Sequence, residues 1–357
     1  MSKRITAAIL ALILAVCAIA CGQAGPETIH AEPSTTQLPP TEIPMTPPAT
    51  EVPATETPEP TVRERYPIEE NTAFKPDVYP YLVRTESAVW YLAGEDIELL
   101  GEEAFYDGLY AVLEHAEEDF ADAREALKGY INEEVLPVGI HTDFCGHEAY
   151  SKLPTYGAFL NGSISLYQNW MRASDALLHE YVHYLTMGCT VRSTGGDFWR
   201  ESVAQYVANI VCRNRTADLF YSGMNPNAQD AETQAKQLGV WNEEENRVDH
   251  KKVEFMYAQS FANGDMVGFS YFTVGQKTVV RTQEFRDDPQ RLDLMYCEAS
   301  CLLAYLIETY GRDMVYGNWS TSLSEMEEAF GKPFSELYHD WAAWNTEQCA
   351  LMGITLP

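Results

Sequence analysis

The sequence predicts an α+β fold: an N-terminal mixed sheet lobe with a long helix, then a mainly helical C-terminal lobe. Three observations carry this. The short strand-like runs all lie in the first half of the folded chain, a long stretch between them has helical spacing, and after Ser174 the apolar residues recur mainly at helical spacing. With 46% hydrophobic residues in 357, the chain has enough apolar material for a sizeable core.

Taken in order, Ser87 to Tyr91 reads as a short strand. Residues 102–130 carry Phe105, Leu109, Val112, Leu113, Ala116, Phe120 and Leu127 at three- and four-residue steps, the stripe of a long amphipathic helix. Residues 136–141 read as a strand, and 157–166 as one further strand with Ile164 and Leu166 on one face. A helix follows over 175–187, stopped by Gly188. Another runs from the Gly195-Gly196 turn to about Cys212, with Asp197 placed to cap it. Residues 214–290 are polar and show no clear period. Helices return at 296–310, ending at Gly311, and at 333–344. No internal repeat is visible.

The first 65 residues are of a different kind. Lys3 and Arg4 precede an apolar run from Ile5 to Ala20, too short for a span of ~20 residues, and this reads as an export signal. Its end, Ala18-Ile19-Ala20-Cys21-Gly22, resembles the bacterial lipobox, in which the cysteine is diacylated and becomes the mature N-terminus. Ala18 stands where that motif usually has Leu. From Gly22 to Val62 there is no aromatic residue, Lys or Arg, and ten of the 19 prolines fall here among Thr and Glu. Such a stretch cannot bury a core and reads as an extended linker. The expected division is therefore 1–21 lipoprotein signal peptide, 22–65 disordered Pro/Thr/Glu-rich linker and 66–357 folded domain. The expected location is outside the cytoplasm, held by lipid on Cys21 to the cell membrane or an outer membrane. A formal charge of −29 argues against nucleic acid as a partner, because binding phosphate needs a basic face. Six cysteines remain beyond the signal, none at zinc-knuckle spacing. Disulfides and buried free thiols both stay open for an exported chain.

The chemistry concentrates in Leu178-His179-Glu180-Tyr181-Val182-His183. On a helix, residues four apart share a face, so His179 and His183 can both reach one zinc ion. Glu180 turns toward the same side and can take a proton from water activated there. A catalytic zinc needs a third protein ligand. No further histidine follows closely, but Phe198-Trp199-Arg200-Glu201-Ser202 lies beyond the glycine turn, with 17 residues between His183 and Glu201, and returns Glu201 toward the histidines. Gln205, one turn later, can support a ligand from behind. The bland alternative for Glu201 is a solvated residue paired with Arg200 or Arg192. His141, His147 and His250 read as surface or structural, and His339 as packing beside Trp341.

The His-Glu-x-x-His helix and the following Trp199-Arg200-Glu201 segment with Ala204 and Tyr206 resemble the gluzincin metallopeptidases, closest to the peptidase-MA-like group related to aminopeptidase N. Two departures stand out. Trp199 is two residues before the glutamate rather than three, and Ser202 replaces the usual Gly. The resemblance extends in pieces through Tyr296-Cys297-Glu298-Ala299, Tyr310-Gly311 and Phe330 to Trp341. It implies a zincin-like fold with the active-site cleft between the two lobes, one zinc on His179, His183 and Glu201, and Glu180 as general base. It also implies that Tyr296 donates to the oxyanion, with Tyr257 and Tyr271 as reserves, and that the substrate is a peptide or protein. Aminopeptidases of that group carry a Gly-x-Met-Glu-Asn segment whose Glu binds the substrate amino terminus; in Gly157-Ala158-Phe159-Leu160-Asn161, Leu160 stands at that place. An endopeptidase-like hydrolase, an aminopeptidase and an inactive binding lipoprotein on the same scaffold are the three functions this allows.

Overall fold

The computed structural model describes residues 60–132, 134–145, 156–187, 197–222, 224–225, 227–262, 290–318 and 323–354. Cys21 and the expected linker up to residue 59 lie outside these, as do His147, Gly188, Cys189, Arg192, the Gly195-Gly196 turn and Tyr271. The fold is mixed α and β, rich in helix, with a mixed sheet.

A short helix, α1 (Val62–Arg65), lies ahead of the expected start at residue 66 and is closed by a capping box between Thr61 and Glu64. Strands β1 (Glu69–Glu70), β2 (Tyr81–Arg84) and β3 (Ala88–Leu92) are joined antiparallel. Helices α2 (Gly94–Leu100) and α3 (Glu102–Ala126) then cross over to β4 (Val138–Thr142), which runs parallel to β3. β5 (Gly157–Leu160) and β6 (Ser163–Leu166) complete a sheet of order β1-β2-β3-β4-β6-β5, so β5 is an edge strand.

One face of this sheet meets the helices. Ala88, Trp90 and Leu92 of β3, Val138 and Ile140 of β4, and Ile164 and Leu166 of β6 alternate inward and are buried. Against them lies the stripe expected for the long helix: Phe105, Leu109, Val112, Leu113, Ala116, Phe120 and Leu127 are all buried. The next helix, α4 (Trp170–Thr186), inserts Leu177, Leu178, Tyr181, Val182 and Leu185 into the same core.

Two expectations about this region are corrected. The stretch 157–166 is a hairpin and not one strand. Asn161 and Gly162 both have positive φ (53° and 84°), the conformation of a tight two-residue turn whose backbone twist suits the flanking strands. The helix expected from Asp175 begins at Trp170, because the Asn169 side chain accepts the Arg172 N–H and caps it five residues earlier.

The rest is mainly helical. α5 (Asp197–Gln205) begins at the residue expected to cap it and continues into a wide π-type turn, Tyr206–Val211. The stretch left without a period contains α6 (Arg215–Asp218), α7 (Ala228–Leu238), a hairpin of β7 (Trp241–Asn242) and β8 (Arg247–Val248), and α8 (His250–Ala262). α9 (Gln290–Tyr310), α10 (Arg312–Asn318), α11 (Leu323–Phe330) and α12 (Phe334–Leu351) follow. α5 packs on both α4 and α9, and α8 packs on α9 and α12. No helix among the described residues is long and apolar enough to cross a membrane. Among the described residues, Cys145, Cys212, Cys301 and Cys349 form no disulfide.

Candidate metal centre

α4 is anchored before it offers any chemistry. The Tyr181 ring stacks on Phe120, and its hydroxyl accepts from Arg124 at 2.8 Å. Arg124 also bonds Ser87, whose hydroxyl donates to Glu117 at 2.6 Å. With Tyr181 and Val182 buried in the core, the helix period turns His179, Glu180 and His183 together to the other side.

The three expected ligands converge. His179 Nε2 lies 3.2 Å and His183 Nε2 3.1 Å from the same oxygen, Glu201 Oε2. One ligand atom from each residue falls within 4.8 Å of the others. His183 and Glu201 are buried and His179 is nearly so. The other carboxylate oxygen, Oε1, accepts from Arg200 Nη2 at 2.8 Å. Glu201 therefore faces the histidines and pairs with Arg200 at once, through different oxygens.

The donor set fits a divalent cation such as zinc, whose catalytic sites combine imidazole nitrogen with carboxylate oxygen. Burial opposes charge on Glu201, yet His183 and His179 beside it hold its pKa well below the carboxylate range. Burial likewise disfavours an imidazolium at His179, but Glu201, Glu180 and Gln205 outweigh it and raise its pKa. The pocket thus holds a carboxylate and seeks positive charge between its three side chains. Gln205 stands where the sequence puts it, one turn past Glu201, with Oε1 2.9 Å from His179 Nδ1. His183 Nδ1 is buried with no hydrogen-bond partner among the described residues.

Glu180 is buried beside the sheet edge, and its Oε2 accepts the Phe159 N–H at 2.7 Å. The half-buried Tyr296 of α9 brings its ring edge-on to His179, centroids 5.8 Å apart. Tyr257 sits on α8, one turn beyond Glu254.

The other histidines are elsewhere. His141 is buried among Phe74, Tyr79 and Tyr91, and burial pushes its pKa down to about 4. His250 Nε2 pairs with Asp218 at 2.9 Å. His339 is exposed on α12 and does not pack as expected; the residue two further on, Trp341, takes the buried place.

Sequence reasoning found Gln205 behind His179 but missed the carboxylate behind Gln205. Glu254 of α8 accepts from Gln205 Nε2 (2.6 Å) and Asn209 Nδ2 (2.9 Å) on Oε1, and from Ser300 Oγ (2.6 Å) on Oε2. The available signal was a carboxylate amid apolar neighbours, Val253, Phe255 and Met256, in an otherwise polar stretch.

The chain matches no family model, no curated protein and no solved structure.

Proposed function

We propose that this chain is a zinc-dependent peptidase of gluzincin type, a zincin-like hydrolase with its cleft between sheet lobe and helical lobe. In this reading it works outside the cytoplasm, anchored through lipid on Cys21. The observation that carries the chemistry is the convergence of His179 Nε2, His183 Nε2 and Glu201 Oε2, with Glu180 beside them at the sheet edge.

His179, His183 and Glu201 would hold the ion, which when bound supplies Lewis acidity and makes water nucleophilic near neutral pH. Glu180 accepts the proton of the attacking water and passes it to the leaving nitrogen. Tyr296, a neutral donor, bonds the oxygen on which negative charge develops. The substrate backbone adds to β5. Tyr167 N–H bonds the Tyr156 carbonyl at 2.9 Å, so ladder alternation turns Ala158 and Leu160 toward β6; the backbone groups of Gly157 and the Phe159 carbonyl then face the open edge, where the Phe159 N–H is held by Glu180.

Endopeptidase action is the form this reading favours. Leu160, at the place of the aminopeptidase anchor, is an exposed apolar residue at the hairpin turn and cannot pair with an ammonium.

The test is zinc content and turnover of purified wild type against His183→Ala, on one peptide with a free and with an acetylated amino terminus. About one zinc in wild type, its loss in His183→Ala, and comparable cleavage of both peptides are expected. Stepwise trimming of the free peptide alone would install an aminopeptidase. Zinc without turnover would leave a binding lipoprotein on this scaffold.

A further inference from the structure

The hydrogen-bond directions behind His179 can be read from groups whose roles are not open to choice. Glu254 Oε1 is an acceptor for two amides, Gln205 Nε2 at 2.6 Å and Asn209 Nδ2 at 2.9 Å. The Asn209 orientation is fixed independently. Ala217 N–H can only donate, and it bonds Asn214 Oδ1, so Asn214 Nδ2 donates to Asn209 Oδ1 at 2.8 Å. That leaves the Asn209 amino group to face Glu254.

The same logic fixes Gln205. With its amino group on Glu254, its Oε1 must face His179 Nδ1, 2.9 Å away. An amide oxygen there requires a proton on Nδ1, so in the neutral imidazole the lone pair falls on Nε2, the atom that points at Glu201 Oε2. Without Glu254, Gln205 could rotate and offer its amino group to Nδ1, which would put the imidazole proton on the wrong nitrogen for a metal ligand.

Glu254 is placed for this. It is 3% exposed, and burial raises its pKa against the pull of its Ser300, Asn209 and Gln205 bonds. Oε1 is an acceptor whether or not Oε2 carries a proton, because Ser300 Oγ can donate to Oε2 or accept from it while donating to the Cys297 carbonyl at 3.0 Å. Asn209, four residues after Gln205 in the π-type turn Tyr206–Val211, reaches the same oxygen.

We propose that Glu254 is a positioning residue for the metal centre: it orients Gln205, and through Gln205 it holds His179 with Nε2 free to bind the ion. This rests on the zinc reading above.

The experiment measures zinc affinity by chelator competition, with folding of each variant verified by circular dichroism. Glu254→Leu, which offers no acceptor, should weaken zinc about 10–100-fold. Gln205→Leu should lose a similar factor, and the double variant no more than either single one, since both act on one path. Glu254→Gln still presents an oxygen to Gln205 and an amino group to Ser300, and should stay within about threefold of wild type, a rescue expected of an orienting acceptor.

Additive losses in the double variant overturn the proposal. So does wild-type affinity in Gln205→Leu, or a loss in Glu254→Gln as large as in Gln205→Leu. If Glu254→Leu does not fold, the last two comparisons still decide. A wild type that takes up no zinc overturns the zinc reading together with this inference; a wild type that binds zinc with unaffected variants overturns only this inference.

Discussion

Gly157 lies so close to Glu180 that a Cβ on it would stand 3.1 Å from Glu180 Cγ and 3.1 Å from Ala176 Cβ. β5 and α4 therefore approach so closely that a side chain at 157 would need a neighbour to give by a few tenths of an ångström. That approach is what lets Phe159 N–H reach Glu180 at 2.7 Å. Gly157→Ala should push strand and helix apart by a few tenths of an ångström. The expected cost is about 1–3 kcal/mol in stability, read by urea unfolding. In turnover the base and the substrate edge would fall out of register, and kcat should drop by up to about 10²-fold with zinc retained. Wild-type kcat in Gly157→Ala would show that the spacing does not set the base.

Glu201 has two readings in the sequence, a third ligand or a partner of Arg200. The geometry divides its two oxygens between Arg200 and the histidines. Glu201→Ala should lose most of the zinc, measured as metal per protein after gel filtration. Arg200→Ala removes a half-exposed partner and should keep the metal. Full zinc content in Glu201→Ala would remove it from the ligand set.

Tyr296 meets His179 edge-on with its ring, and its proposed work is done by the hydroxyl. Tyr296→Phe keeps the ring contact. It should lower kcat about 10²–10³-fold while leaving zinc affinity unchanged. Unchanged kcat would make Tyr296 a packing residue and move the oxyanion role to Tyr257 or Tyr271.

Much of the site was legible because it is written at helical spacing. His179, Glu180 and His183 are local, and Gln205 follows Glu201 by one turn, so a single period places each pair. The long helix was legible for the same reason: every residue of its expected stripe is buried. The hairpin at Asn161-Gly162 was missed because the alternation of Ile164 and Leu166 was extended backward through a turn signal. The early start of α4 was missed because Asn169 caps from outside the apolar run. Glu254 was out of reach for a different reason. Its role depends on Gln205, Asn209 and Ser300 from two other helices, and no local pattern encodes that meeting.

Glu298 offers a test that does not involve metal. It is fully buried on α9, where its Oε1 accepts from the Tyr338 hydroxyl at 2.8 Å and its Oε2 has no hydrogen-bond partner among the described residues. Burial raises its pKa from 4.5 to about 8, against the Tyr338 bond, so the folded protein holds it as a neutral acid at pH 7. The folded state binds this proton more tightly than the unfolded chain. Its stabilising contribution is therefore complete below pH 4.5 and is lost as pH rises through about 8. Over that window wild type should lose up to about 5 kcal/mol relative to a Glu298→Gln variant, which has no proton to release. Urea unfolding in chelator at pH 5, 7 and 9 reads the difference. The gap between the two proteins should shift in favour of Glu298→Gln as pH rises, most of it below pH 8. Parallel profiles across the three pH values would mean that Glu298 ionises normally in the folded protein, and that the Tyr338 contact holds a carboxylate rather than an acid.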